Sequence, residues 1–191
     1  MRVGRQYDGV VANHALIEHL KTYALRTDGP FTLRSGAVST WYLDARQSTL
    51  DGEGAWIVGR AVMEVLAPAV EAVGGMTMGA DPIAVATAMV ATSQGRGLRA
   101  FSIRKTVKDH GTGGRLVGPV DSGAKVAILE DTTTTGGAAV AAAKYALEEG
   151  LEIVQAIALV DRSGGVAARN FAALGIPHVA LVTPADLGVN A

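Results

Sequence analysis

The residues richest in chemistry are Glu130 and Asp131, followed without a break by Thr132, Thr133, Thr134, Thr135, Gly136, Gly137 and Ala138. Two adjacent carboxylates accept hydrogen bonds from sugar hydroxyls or help to hold a hard cation. The threonine hydroxyls add donors, and the glycines let backbone approach a bound group closely. Successive N–H groups at a helix start make a cradle for phosphate. Acids beside a phosphate repel it, so the pair has a role only if it holds ribose hydroxyls or a neutralising cation. The plainer alternative is a strand that ends in solvated acids before an ordinary turn.

A second segment offers the opposite charge. Arg104, Lys105, Lys108 and His110 fall within seven residues, and glycines follow at 111, 113 and 114. Those glycines suit a stable helix poorly, so the stretch reads as a loop able to close. Its cations could cover a pyrophosphate, and its histidine could move a proton. Alone, such a run is most often a solvated basic turn; beside a phosphate loop it is better read as part of a site. Residues 96–115 hold six cations against one acid, while the whole chain carries a net charge of −1. That local excess suits a small, highly charged ligand and not a long nucleic acid.

Positioning these groups requires strands and helices of a definite order. The apolar run Val126-Ala-Ile-Leu129 predicts a buried strand over 125–130, and a helix is expected over 137–149. Further strands are expected at 76–78, 98–103, 153–160 and 178–182. Helices are expected over 10–26, 50–73, 82–93, with Asp81 as N-cap, and 165–174. Residues 31–34 and 40–44 read as a hairpin around Ser35-Gly36. Residues 105–122 read as an exposed, glycine-rich connection. The β-α-β order predicts an α/β fold: a parallel sheet of about five strands with helices on both faces. Ligands bind at the carboxyl ends of strands in such sheets. The residues 77–80, Arg104-Lys105, Glu130-Asp131 and Asp161-Arg162 fall at those ends.

Composition agrees. The chain has 191 residues, enough for one core, and 49% are hydrophobic although only 5% are aromatic. Ala, Val and Gly therefore fill the core, as they do where helices pack closely on a sheet. There is no cysteine, which removes disulfides, thiolate metal sites and a cysteine nucleophile and permits a reducing, cytoplasmic setting. The longest uncharged run, residues 170–185, contains Pro177, His178 and Pro184, and its 16 residues are fewer than a membrane span needs. The first 14 residues lack a signal-peptide core. Other glycine motifs fail: in the stretch 118–125 Ala124 interrupts a Walker A pattern, and the stretch 111–116 lacks the last glycine of a dinucleotide fingerprint.

The segment 126–137 resembles the PRPP-binding signature of type I phosphoribosyltransferases. That resemblance implies that Glu130 and Asp131 contact the ribose hydroxyls while residues 132–138 wrap the 5-phosphate. The segment 104–114 closely resembles the catalytic loop of orotate phosphoribosyltransferases, Arg-Lys, two residues, Lys-x-His-Gly-x-Gly-Gly. By resemblance Arg104, Lys105, Lys108 and His110 bind or cover the pyrophosphate, with Lys108 the main catalytic candidate. The family's loop reaches into the neighbouring subunit's site, which implies a homodimer with the 104–115 segment acting across the interface. Phe31 to Gly36 with Trp41-Tyr42 resemble the family's small N-terminal hood. Arg34, Trp41, Tyr42, Thr134 and Arg162 are the residues so implied to hold orotate. Without the resemblance, Trp41 and Tyr42 would read as core and Asp161-Arg162 as a surface pair.

The resemblance covers about residues 10–183 and implies one domain over 1–191, with a hood at about 29–46 plus the N-terminal helix and a core at about 50–183. It also implies Mg2+, carried by PRPP with Asp131 as a possible contact and no dedicated side-chain cage. The substrates implied are orotate and PRPP, without nucleic acid or membrane. One departure stands out. Many members carry Tyr-Lys-Gly at the end of the first sheet strand, where this chain has Met78-Gly79-Ala80, so the lysine that would meet pyrophosphate is missing. His14, His19 and His178 lack ligand spacing and are expected at the surface or core edge. Two other readings fit the same motifs, a phosphoribosyltransferase for another base and a non-catalytic regulator that senses PRPP.

Overall fold

The computed structural model describes residues 12–32, 36, 38–106 and 114–190. Helix α1 (Ala12–His19) runs into a π-helical turn at Leu20–Ala24. Four two-residue strands follow: β1 (Leu25–Arg26), β2 (Phe31–Thr32), β3 (Val38–Ser39) and β4 (Tyr42–Leu43). Next come α2 (Arg46–Thr49), α3 (Gly52–Val65), β5 (Ala72–Met76), α4 (Ala80–Ser93), β6 (Arg99–Ile103), β7 (Leu116–Val117) and β8 (Lys125–Thr133). The chain closes with α5 (Gly137–Glu148), β9 (Glu152–Asp161), α6 (Val166–Ala172) and β10 (His178–Val182).

The main sheet has six strands in the order β10-β9-β8-β5-β6-β7. Five are parallel, as expected, and β7 adds an antiparallel edge inside the stretch read as a bare connection. On β8 the side chains alternate between two cores, because successive residues of a strand face opposite ways. Ala127 and Leu129 join Val58, Val62, Ile83 and Leu159 under α3 and α4. Val126 and Ile128 join Ala139, Ala142, Ala146 and Phe171 under α5 and α6. The small residues of α5 let it lie close to the sheet, which is what an alanine- and valine-rich composition provides.

Several boundaries differ from expectation for local reasons. The helix expected over 50–73 ends at Val65, because Pro68 disfavours helix in the residue before it. Buried Gln155 completes that end, accepting from Ala67 N–H at 2.6 Å and donating to the Val65 carbonyl at 3.1 Å. The apolar run beyond it is strand β5, which therefore begins earlier than 76–78. Asp81 is not an N-cap; Gly79 holds that position, and Asp81 in the first turn accepts from the Thr77 hydroxyl at 2.6 Å. Phe31–Thr32 pairs with Val38–Ser39, whereas Tyr42–Leu43 pairs with Leu25–Arg26, so the expected hairpin is two small ribbons. The first helix is correspondingly shorter than 10–26.

Candidate active site

The chain order reverses between β5 and β8: β6 follows β5 on one side, and β8 returns to its other side. A crevice opens at such a point beyond the carboxyl ends of the strands. Strand β8 brings Glu130 and Asp131 into it, and β5 brings Thr77, Met78 and Gly79. The two ends touch. A Cβ built on Gly79 would lie 2.7 Å from Asp131 Oδ1 and 3.0 Å from Oδ2, closer than side chains tolerate. The Asp131 carboxylate thus occupies the space that any side chain at 79 would enter.

The acid pair is electrostatically strained. Burial, then the charge of Asp131 and a hydrogen bond to it, push the Glu130 carboxyl up to about 8, with Lys105 opposing. Glu130 Oε2 is buried and has no hydrogen-bond partner among the described residues. An unpaired buried acceptor of this kind costs stability unless a ligand completes it. Asp131 Oδ1 accepts from Thr132 N–H at 2.7 Å. Lys105 leaves the end of β6 near enough to Glu130 to act on its charge, so the structure brings the basic segment's start and the acid pair together.

Strand β8 continues through Thr133, three residues past the expected end, and Thr133 Oγ1 is buried without a partner among the described residues. The turn to α5 needs Gly136 at φ +79°, a left-handed conformation that favours glycine, where a Cβ would also press on Ala167 at 3.2 Å. Thr134, Thr135, Gly137 and Ala138 are exposed at the mouth of the turn. Asn170 of α6 steadies the loop by donating to the Thr135 carbonyl at 2.9 Å.

On the far side of the loop Arg162 N–H donates to the Thr133 carbonyl at 2.7 Å. Its guanidinium lies 3.9 Å from the centroid of the Trp41 ring, a cation–π contact. Burial lowers the Arg162 pKa and Tyr42 opposes that shift. Trp41 is 5% exposed and its indole N–H donates to the Asn190 carbonyl at 2.9 Å, so it meets the crevice mainly through Arg162. Tyr42 is exposed, with its ring 5.9 Å from that of Phe31. Arg34, Lys108 and His110 lie outside the described residues.

Sequence reasoning missed Asn170 and Arg46. Asp44 fixes Arg46, accepting from Nε at 2.7 Å, and the guanidinium feels the charge of Asp131. The Asp44-x-Arg46 spacing beside the hood was the available signal. His14 is exposed and His178 is half-buried, stacked on Phe171 at 5.3 Å, as expected, whereas His19 is buried, with Nδ1 3.0 Å from Ser48 Oγ and Nε2 3.4 Å from Asp51. Among the described residues no three acids or imidazoles form a metal cage. Nor is any described helix long and apolar enough to cross a membrane.

A strand ending in paired acids, a hydroxyl-rich turn into a helix, and a cationic strand end across the switch point define a type I phosphoribosyltransferase. No family model matches the chain. It is 40% identical over 177 residues to the orotate phosphoribosyltransferase of Streptomyces avermitilis, covering 92% of this chain and 97% of that protein. The Mycobacterium tuberculosis H37Rv orotate phosphoribosyltransferase solved with Fe(III) dicitrate superposes with a TM-score of 0.81 at 33% identity, over 93% of this chain and 99% of the other. The same enzyme solved with 5-phospho-alpha-D-ribosyl 1-diphosphate (PRPP) gives a TM-score of 0.77 at 30% identity, over 93% and 99%. The chain belongs to the orotate phosphoribosyltransferase family, pentosyltransferases of pyrimidine biosynthesis.

Proposed function

We propose that this chain transfers the 5-phosphoribosyl group of PRPP to N1 of orotate, forming orotidine 5'-monophosphate and pyrophosphate. The observation that carries the reading is the Glu130–Asp131 pair, half-buried, with Glu130 Oε2 unpartnered among the described residues and Asp131 abutting Gly79 at the switch point. Ribose hydroxyls are the donors such carboxylates lack. Residues 132–138 offer backbone N–H groups and hydroxyls to the 5-phosphate at the start of α5. Arg104 and Lys105, with Lys108 and His110, meet the diphosphate. Arg162 addresses the orotate carboxylate, a charge-assisted contact, with Thr134, Tyr42 and Arg34 around the ring and Trp41 backing the guanidinium.

In this reading the protein works by positioning and charge rather than by a covalent nucleophile. The C1–pyrophosphate bond breaks as orotate N1 approaches, and the cations of 104–110 stabilise charge on the departing diphosphate. The acceptor set fits Mg2+, with Asp131 the side chain that could assist; bound through PRPP, the ion would neutralise the diphosphate. The reading further includes one domain over 1–191, a hood at about 29–46 plus the N-terminal helix, and a core at about 50–183. It places the protein in the cytoplasm as a homodimer in which the 104–115 segment serves the neighbouring site. The exposed apolar side chains of Leu50, Met78, Val85 and Met89 are surface that a second copy could cover.

The test is loss of orotate absorbance with PRPP and Mg2+, each omitted in turn, beside a panel of purine and pyrimidine bases. Turnover that needs all three and is confined to orotate is expected. Turnover of another base in its place would refute the assignment. Light scattering tests the dimer.

A further inference from the structure

We infer that Tyr145 is a positioning residue for the transfer, acting through Arg115 on Arg104 and Lys105; the inference rests on reading those two cations as diphosphate ligands. Strands β6 and β7 set Ser102 opposite Val117 and Ile103 opposite Leu116. Arg104 and Arg115 therefore face each other on the next rung, where like charges repel.

Two contacts hold the Arg115 side chain. Its Nε donates to the Arg104 carbonyl at 2.6 Å, and its guanidinium carbon lies 4.5 Å from the centroid of the Tyr145 ring. A tyrosine face attracts a cation held there. The backbone pairing is altered in the same place. Arg104 N–H donates to the Arg115 carbonyl at 2.9 Å, but Arg115 N–H donates to the Tyr145 hydroxyl at 3.0 Å. The reciprocal backbone bond of an antiparallel pair is thus replaced by a side-chain bond, and Tyr145 takes the N–H left over. One ring holds both the charge and the N–H of Arg115, and Arg115 in turn holds the backbone of Arg104 at the point where it leaves β6.

Tyr145 stands on α5, eight residues after Gly137, about 12 Å along the axis. The start of the same helix borders the phosphate turn, and its buried alanines, Ala139, Ala142, Ala143 and Ala146, leave it no slack against the sheet. A single rigid element therefore sets both the 5-phosphate turn and the root of Arg104-Lys105. The separation between the two anion sites is fixed by α5, with Tyr145 as its contact to the cationic one.

The experiment compares wild type, Tyr145→Phe and Tyr145→Leu in the orotate assay with Mg2+, adding inhibition by pyrophosphate and, separately, by ribose 5-phosphate. Phenylalanine keeps the ring and loses the hydroxyl, so one hydrogen bond goes. The KM for PRPP and the Ki for pyrophosphate should rise about 3-fold. Leucine removes the ring as well, and both constants should rise about 10-fold or more. The KM for orotate and the Ki for ribose 5-phosphate should stay at wild-type values, and the melting temperature of the Phe variant should fall by no more than about 2–4 °C, the loss of one part-buried hydrogen bond. Unaltered pyrophosphate inhibition in the Phe variant, or pyrophosphate and ribose 5-phosphate inhibition weakening together, would overturn the inference. Wild-type protein that turns over no orotate sinks the parent reading, and this one with it.

Discussion

Replacing Glu130 with Gln keeps the shape of the side chain and removes its titration. In the ligand-free protein, burial and Asp131 hold this carboxyl at about 8, against an ordinary value of 4.5. Between those values the folded chain keeps a proton that the unfolded chain has released. Stability then falls as pH rises: the contribution is fully present below the unfolded value and is lost as pH passes through the folded one. Each unit of displacement corresponds to about 1.36 kcal/mol. Raising pH from 6 to 8 should therefore remove about 2 kcal/mol from the wild type through this group alone. Glu130→Gln should lack that component. Urea unfolding of both proteins at pH 6 and pH 8 measures it, other titrating groups cancelling in the difference. The same proton should leave when the ionised carboxylate receives a ribose hydroxyl. Calorimetry of PRPP binding with Mg2+ at pH 7, in two buffers of different ionisation heat, should show release of roughly one proton in wild type and none in the variant. A wild-type-minus-variant stability difference that does not move with pH would refute the account of the acid pair.

Lys108→Ala should lower kcat far more than it weakens orotate binding, as steady-state kinetics and equilibrium dialysis would show; equal effects on both would contradict its catalytic role. Arg162→Ala should raise the KM for orotate about 10-fold or more, the cost of a charge-assisted hydrogen bond, with a much smaller effect on the KM for PRPP. Gly79→Ala should raise the KM for PRPP, because its Cβ would press on Asp131 Oδ1 at 2.7 Å; an unchanged value would mean that Asp131 moves freely. Gln155→Ala leaves the Ala67 N–H and Val65 carbonyl unpaired and should cost about 2–3 kcal/mol in urea unfolding, while the protein that remains folded keeps its kcat.

Strands β8 and β10 were legible because their apolar runs are short, bounded and ended by polar residues. His178–Val182 has the expected limits, and Lys125 starts β8 as read from the sequence. The β8 end was less legible: Thr132 and Thr133 look like turn residues by type, yet they pair with Val160 and Asp161 of β9. Propensity gave way there to a neighbouring strand. The stretch 66–73 failed in the other direction. Its Ala and Val residues continue a helical pattern past Pro68, the local stop signal, and the buried Gln155, 88 residues from Ala67, completes the helix end there. No local pattern carries such a contact. At the site, the acid pair and the cations of β6 could be read from residue type. Trp41 could be read as a ring near the base but not as a ring covered by Arg162, because that contact joins the hood to the end of β9. Tyr145 looked like an ordinary helix residue, and the rung that makes it matter is formed by β6 and β7.

Gly79 and the protonation of Glu130 are parts of one arrangement. A lysine at 79 would supply a cation beside Asp131, but its Cβ would collide with the carboxylate where Asp131 now stands. With glycine there, the Asp131 carboxylate fills the space, and its charge bears on Glu130 with Lys105 in opposition. The pair then lowers its repulsion by keeping a proton, as adjacent buried acids do. Affinity for the activated sugar should accordingly strengthen as pH rises toward 8, because less work is needed to ionise Glu130 before it can accept a hydroxyl. Measured as Kd for PRPP with Mg2+ between pH 6 and pH 8.5, that trend should vanish in Glu130→Gln. Its persistence there would move the titrating group elsewhere, to the ligand's own phosphates or to His110.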